Sequence, residues 1–251
     1  MKRYSYMNHN KKYVLLLFAM LVLVSCHSIK VHKTNMHTST TAPVAIGVIG
    51  LQDNGMLQSD FREVALPKYE SAIRLGVSKV QFDSNTYKTY IQQSGGNKHN
   101  ITYIDSLDTK PSFLKMEILD QITLLSELKK EANAHVTDFI GSQKDAVLVS
   151  AVSLAIEPQS IQEILDAEAV FLVNQSYKQY QISLVRGGKS YKTIDFAATS
   201  IFGYRLSHFC WSANSKRKIV ISDLIDENSS CPKNSYRDER KAKEKTDYFK
   251  L

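Results

Sequence analysis

The amino-acid sequence predicts an α+β protein in which a largely antiparallel sheet in the C-terminal half is packed by one long amphipathic helix. Two patterns predict this class. Apolar residues recur every three or four positions over residues 112–140, as on one face of a helix. Between residues 146 and 224, short apolar or alternating segments follow one another with short links, as antiparallel strands do. A hydrophobic content of 43% is enough for a packed core.

The part of the chain before this helix carries weaker signals. Residues 58–75 are interpreted as partly helical, with Pro67 as an interruption. Residues 94–100 (SGGNKHN) are polar and glycine-rich and predict a loop. Three short strands are predicted, over residues 44–50, 77–82 and 101–104. These elements are expected to join the same core.

The long helix is predicted from its ends as well as from its period. Ser112 follows Pro111 and suits an N-cap, and Gly141 suits the C-terminal end. The apolar stripe consists of Leu114, Ile118, Ile122, Leu125, Leu128, Ala132, Val136 and Phe139.

The pattern then changes to a period of two, which predicts strands. A capping-box pattern from Ser160 to Glu163 adds one short helix that ends near Asp166. Gly187 and Gly188 separate two alternating segments and predict a tight hairpin turn. The strands are predicted over residues 146–156, 169–173, 177–186, 189–196, 200–211 and 218–224.

The chain opens with a basic segment followed by an uncharged one. Residues 13–24 are twelve residues without a charge. A membrane-spanning helix needs about 20 such residues, so this run fits the apolar core of a signal peptide better. The basic residues that precede it are Lys2, Arg3, Lys11 and Lys12.

The end of this run, Leu23-Val24-Ser25-Cys26, resembles the lipobox of bacterial lipoproteins. The resemblance implies cleavage between Ser25 and Cys26, a diacylglyceryl group on the Cys26 thiol, and a further acyl chain such as palmitate on its new amino group. It covers only residues 1–26 and implies nothing about the domain behind them. The alternatives are an ordinary signal peptide with an incidental cysteine, or an uncleaved short anchor.

Lipidation would make the bilayer the first partner of this protein. A single acyl chain binds a membrane only marginally, whereas two or three chains on Cys26 hold a protein there without a spanning helix. The residue after Cys26 is His27, not the aspartate linked with inner-membrane retention, and no acidic run follows. These features favour the periplasmic face of an outer membrane.

The domain organisation follows from these segments. Residues 1–25 are the predicted signal peptide, and residues 26–43 are the lipidated cysteine and a flexible tether, with no acidic residue and little apolar content. Residues 44–235 form one α+β domain. Residues 236–251 are a charged tail, either a helix with pairs four residues apart or a frayed end.

The net charge argues against nucleic acid as a partner. The whole chain carries +7, but four of its positive charges lie in the signal, which leaves +3 for the rest. A mildly basic, exported chain is a poor candidate for nucleic acid binding.

The three cysteines fit an exported protein. If Cys26 carries lipid, Cys210 and Cys231 remain as a pair, and such a pair usually forms a disulfide outside the cytoplasm. The alternative is two unpaired thiols, one of them buried. The sequence contains no C-x-x-C and no Cys/His cluster, so neither a metal site nor a cofactor is predicted.

The sequence contains no catalytic motif such as G-x-S-x-G or H-E-x-x-H. The leading hypothesis is therefore a non-enzymatic binding or accessory module of the cell envelope that contacts a protein or a glycan. One alternative is a hydrolase whose site combines at least two of four distant residues. These are Asp105, Asp108, His135 and His208. Another alternative is a structural subunit of an envelope complex.

Overall fold

The computed structural model describes residues 28–38, 44–54, 59–94, 99–176 and 179–247. The predicted signal peptide and Cys26 lie outside these residues. Within them, twelve strands form one sheet and five α-helices surround it. This confirms an α+β protein in which an antiparallel sheet dominates.

The sheet is built from both halves of the chain, not from the C-terminal half alone. The strands are β1 (Ser28–Val31), β2 (Thr34–His37), β3 (Ile49–Asn54), β4 (Ser59–Ala65), β5 (Ile73–Gln81), β6 (Ser112–Ile118), β7 (Ala146–Ala155), β8 (Ala169–Ser176), β9 (Gln179–Arg186), β10 (Lys189–Asp195), β11 (Ser200–Ala213) and β12 (Ile219–Asp226). Their order is β1-β2-β11-β7-β6-β5-β8-β9-β10, with β12 beside β11 and β3 between β7 and β4.

The helices are short; four of them lie between strands along the chain, and the fifth follows β12. They are α1 (Ser84–Gln93), α2 (Gln121–Leu128), α3 (Ala134–Ser142), α4 (Pro158–Leu165) and α5 (Glu239–Asp247). The predicted hairpin is β9–β10, and its turn residues Gly187 and Gly188 both have positive φ, as the sequence indicated. Of the charged tail, the part that the structure describes contains α5, where Glu239 pairs with Lys243 at 2.8 Å.

Strand β7 lies at the centre, and all ten of its residues are buried. Successive side chains of a strand point to opposite faces of the sheet. Val152 and Leu154 accordingly belong to the larger hydrophobic cluster, whereas Ala151 and Ala155 belong to a smaller one. The smaller cluster is rich in aromatic rings, and we call it the aromatic cluster. It consists of Ile29, Val31, Met36, Phe82, Tyr90, Ile101, Phe113, Ala151, Ala155 and Phe202.

The prediction of one long helix over residues 112–140 is wrong. Its first part is β6, which pairs with β5 on one side and with β7 on the other. Leu114 and Ile118 are buried there as alternate residues of a strand. Their spacing of four fits both a helix and a strand, so the period could not separate the two.

The rest of that segment is broken into two helices by specific polar contacts. Asp120 caps α2, since its side chain accepts the Thr123 amide at 2.9 Å. Buried Asn133 then holds the chain between α2 and α3 by bonds to the Lys68 amide at 2.8 Å and the Glu127 carbonyl at 2.9 Å. The apolar stripe is therefore interrupted, and Ile122 within it is 85% exposed.

Two smaller predictions are also wrong. Residues 58–75 contain β4 and the start of β5 in place of a partial helix, because pairing with β3 and β6 outweighs local propensity. Residues 101–104 form a loop where a strand was predicted.

Part of the predicted tether is ordered. Ser28–Val31 and Thr34–His37 pair as an antiparallel hairpin, and Val31 and Met36 are fully buried in the aromatic cluster. The flexible segment predicted over residues 26–43 therefore does not describe residues 28–37. Residues 26, 27 and 39–43 lie outside the described part of the chain.

The structure contains the predicted disulfide. Cys210 on β11 and Cys231 are bonded, with their Cα atoms 5.7 Å apart. The bond holds the irregular segment after β12 against the sheet, and Tyr236 pairs with Trp211 close to it.

Candidate functional site

The four residues proposed for a hydrolase are not brought together. Asp105 bonds to Lys110 at 3.1 Å in an exposed loop, and Asp108 is exposed in the same loop. His135 is exposed on α3, whereas His208 is buried on β11.

His208 lies beside a second polar group, which we call the polar junction and which consists of His37, Gln52 and Glu227. Glu227 follows β12, and its carboxylate bonds to His37 Nε2 at 2.8 Å and accepts the Gln52 amide. Arg237 donates to the Glu227 carbonyl at 2.8 Å and so holds the backbone of this residue. The junction therefore ties β2 and β3 to the segment after β12.

The electrostatics of the junction are set by these contacts. The hydrogen bond from His37, together with that from Gln52, lowers the pKa of Glu227 to about 2, against the opposing effect of partial burial. Burial lowers the pKa of His208, and the charge of Arg237 adds to that shift. The junction is a hydrogen-bonded contact between elements.

The best candidate site is a pocket of about 330 Å³ on another part of the sheet. It lies where the end of β5, the loop before β6 and the start of α4 meet. Its lining residues are Lys79, His99, Asn100, Ile101, Thr102, Lys110, Pro111, Ser112, Ile156, Pro158, Ile161 and Gln162. Pockets of about 300 to 1,000 Å³ are typical of small-molecule sites, so this one suits a small ligand.

The charge of the lining is one-sided. Among the described residues that form it, Lys79 and Lys110 are basic and none is a carboxylate. The hydrogen bond that Lys110 donates to Asp105 raises the pKa of this lysine, which therefore stays protonated. Asp105 itself lies outside the lining, so its carboxylate does not occupy the pocket.

His99 is the most buried polar residue of the lining, with only 7% of its surface exposed. Its Nδ1 lies 3.4 Å from Glu157 Oε1. Its Nε2 is buried without a hydrogen-bond partner in the described structure. A buried polar atom that stays unpaired costs free energy, so an acceptor or donor from a ligand would stabilise this arrangement.

The loop that carries His99 is held by the aromatic cluster. The His99 amide donates to the Tyr90 hydroxyl at 3.3 Å, and the Tyr87 hydroxyl donates to the Ile101 carbonyl at 2.9 Å. Ile101 belongs to both the cluster and the pocket lining. The position of the pocket wall thus depends on α1, which carries both tyrosines.

The sequence did not predict this pocket. His99 stood in a polar stretch that predicted only a loop, and Lys79 stood on a strand with no neighbouring motif. The one available signal was a basic and histidine-containing loop, which is too common in proteins to identify a site.

Comparisons add no family to these observations: no protein-family model matches the chain, and none of the curated proteins compared with it matches. Within the described residues, no group of three or more His, Cys, Asp or Glu side chains is arranged to hold a metal ion. None of the helices in that part of the chain is long and apolar enough to cross a membrane.

Proposed function

We propose that this protein is a lipid-anchored, non-enzymatic binding module of the cell envelope, and that its pocket takes a small ligand with a negatively charged group. One observation supports this function above all. Two lysines and His99 line the same cavity, and none of its described lining residues is a carboxylate. Lys110 also pairs with Asp105 outside the lining, at 3.1 Å.

The chemistry of the lining favours a carboxylate or a phosphate. Hydrogen bonds from a charged donor to an anionic oxygen are about twice as strong as neutral ones. The Lys79 and Lys110 ammonium groups are such donors, and Ser112 and Gln162 add neutral polar groups. Ile101, Ile156 and Ile161 give the same cavity an apolar side. The ligand is therefore expected to combine an anionic end with a short apolar part.

The alternative of a hydrolase has less support. It required at least two of Asp105, Asp108, His135 and His208 to converge on one pocket. None of these four residues lines the pocket, and their surroundings differ. A binding function needs no nucleophile and fits the lining as it stands.

The first test is ligand binding by the wild-type protein and two variants. Inorganic phosphate and succinate serve as probes, and the midpoint of thermal unfolding is measured against probe concentration. We expect at least one probe to raise the midpoint in a saturable way. Lys79→Gln should weaken the binding about tenfold, since it removes one charged hydrogen-bond donor.

The matched control is Lys216→Gln, which removes the same charge from the exposed turn between β11 and β12. It should leave the binding unchanged within about twofold. Two results would contradict an anion-binding pocket: no saturable effect of either probe, or an equal loss in both variants.

The anchor is tested by labelling cells with palmitate. The lipobox resemblance of Leu23 to Cys26 supports lipidation of Cys26, so Cys26→Ala should abolish the label. Ser25→Ala keeps a small residue at its lipobox position and should retain the label. Equal labelling of the wild type and Cys26→Ala would exclude the anchor, and with it the placement at the periplasmic face of an outer membrane.

A further inference from the structure

The hairpin formed by β1 and β2 is attached to the domain mainly by side chains. In the described structure its only backbone pair with another strand is His37 with Tyr204 of β11. Ile29, Val31 and Met36 are buried in the aromatic cluster. The Ser153 hydroxyl bonds to Met36 Sδ at 3.0 Å, and the His37 ring stacks on that of Tyr204. The hydrogen bond between His37 Nε2 and the Glu227 carboxylate, at 2.8 Å, closes its base. An element held in this way has few bonds to break before it detaches.

Gly203 of β11 shows how closely the hairpin lies on the sheet. A Cβ atom at this position would be 3.1 Å from Ile29 Cδ1 and 3.5 Å from Ser153 Cβ. Ile29 Cδ1 would have to move by a few tenths of an ångström to make room for it. Position 203 therefore lies directly against the hairpin, and a larger side chain there would press on Ile29.

Helix α1 connects the hairpin to the pocket. It packs on β1 and on β11. Its Tyr90 is fully buried, with its ring centroid 6.0 Å from that of Phe202, and its hydroxyl accepts the His99 amide. Tyr87 on the same helix holds the Ile101 carbonyl. One face of α1 thus meets the hairpin, and two of its tyrosines hold the wall of the pocket.

We propose that the hairpin is a strap that couples the pocket to the membrane anchor. When the strap is docked, α1 is fixed and the loop with His99 keeps its position. When the strap is released, α1 loses its contact with β1 and the pocket wall loosens. A ligand that favours the ordered wall must favour the docked strap to the same extent, because coupling between two sites is reciprocal.

The strap would also set how far the domain stands from the bilayer. Cys26 precedes the first residue of β1 by two positions, and two residues span at most about 7 Å. If the strap is released, residues 28–37 add their length to the link between Cys26 and the domain. Occupancy of the pocket would then draw the domain towards the membrane. This part of the inference rests on the proposed function, whereas the coupling of strap and pocket wall does not.

The test is amide hydrogen exchange of the full chain, read in three regions at once: residues 28–37, residues 99–105 and β7. In Ile29→Ser, exchange should become at least tenfold faster over residues 28–37 and at least threefold faster over residues 99–105, with β7 unchanged. Gly203→Val should give the same result, because it disturbs the contact with Ile29 from the side of β11. Lys30→Ser changes an exposed residue of the same strand and should leave all three regions as in the wild type.

Two other outcomes are informative. If Ile29→Ser and Gly203→Val also accelerate exchange in β7, these variants unfold the whole domain. The milder variant Ile29→Val then replaces them. It should make exchange about threefold faster over residues 28–37, with a smaller increase over residues 99–105. Faster exchange of the hairpin with no change over residues 99–105 would overturn the coupling. The experiment needs no ligand. Its result therefore does not depend on whether phosphate or succinate binds the pocket.

Discussion

Replacing Phe202 with alanine is expected to lower the free energy of unfolding by about 4 kcal/mol, measured by urea denaturation. The Phe202 ring is fully buried at the centre of the aromatic cluster. Its centroid lies 5.0 Å from that of Phe113, 5.7 Å from that of Phe82 and 6.0 Å from that of Tyr90. Alanine would leave a cavity that β7 and β11 prevent from closing.

The size of this effect is checked with two other substitutions. Phe202→Leu keeps most of the buried volume and should cost about 1.5 kcal/mol or less. Phe171→Ala, at a half-buried position on β8, should cost clearly less than Phe202→Ala. A loss below about 2 kcal/mol for Phe202→Ala would show that the hairpin and α1 collapse into the space, and that the cluster is less rigid than its packing indicates.

The antiparallel sheet of the C-terminal half was predictable from the sequence because its signals are local. Alternation of apolar residues and a two-glycine turn define β9 and β10, and both features act within a few residues. The disulfide was predictable for a different reason. With Cys26 assigned to lipid, Cys210 and Cys231 were the only remaining cysteines, so no choice of partner was needed.

The long helix could not be excluded from the sequence because the deciding contacts are not local. Asn133 binds the backbone of Lys68, which is 65 residues away. β6 is a strand because it pairs with β5 on one side and with β7 on the other. Residues 114–118 do alternate between apolar and charged side chains, but this signal is only five residues long, and Leu114 and Ile118 also fit the longer helical stripe.

The ordered hairpin was missed for a related reason. Polar residues dominate residues 27–43, which is typical of a linker. Only alternate positions such as Ile29 and Val31 face the aromatic cluster, and each strand is four residues long. Three buried side chains are too few to raise the hydrophobicity of the segment, but they are enough to dock a hairpin of this size.

The pocket was missed because it is assembled from four distant parts of the chain. Lys79, His99, Lys110 and Gln162 meet only after β5, β6 and α4 have packed. No spacing between these residues carries information about the site. Their residue types are also common on protein surfaces, so the fold alone makes them a group.

Acidification is expected to destabilise the protein through Glu227. The pKa of this carboxyl is about 2 in the folded protein, mainly because of the His37 hydrogen bond, against an ordinary value of 4.5. A depressed pKa stabilises the fold fully above the ordinary value, and the contribution is lost as the pH falls from about 4.5 towards 2. We expect the free energy of unfolding to fall by about 2 kcal/mol over this pH range. This is less than the full pKa shift implies, because one third of the Glu227 side chain is exposed to solvent.

The contribution of Glu227 is isolated by comparing the wild type with Glu227→Gln at pH 6 and at pH 2.5, by urea denaturation. The contributions of the other carboxyl groups are the same in both proteins and cancel. The difference in unfolding free energy between the wild type and Glu227→Gln should therefore shrink by about 2 kcal/mol at the lower pH. Asp226→Asn, which removes the adjacent and more exposed charge, controls for a general effect of charge at the end of β12. A difference between wild type and Glu227→Gln that is the same at both pH values would show that the His37 contact does not hold the carboxylate. The hairpin would then depend on its apolar packing and on its backbone pair with β11, and strap release would be insensitive to acid.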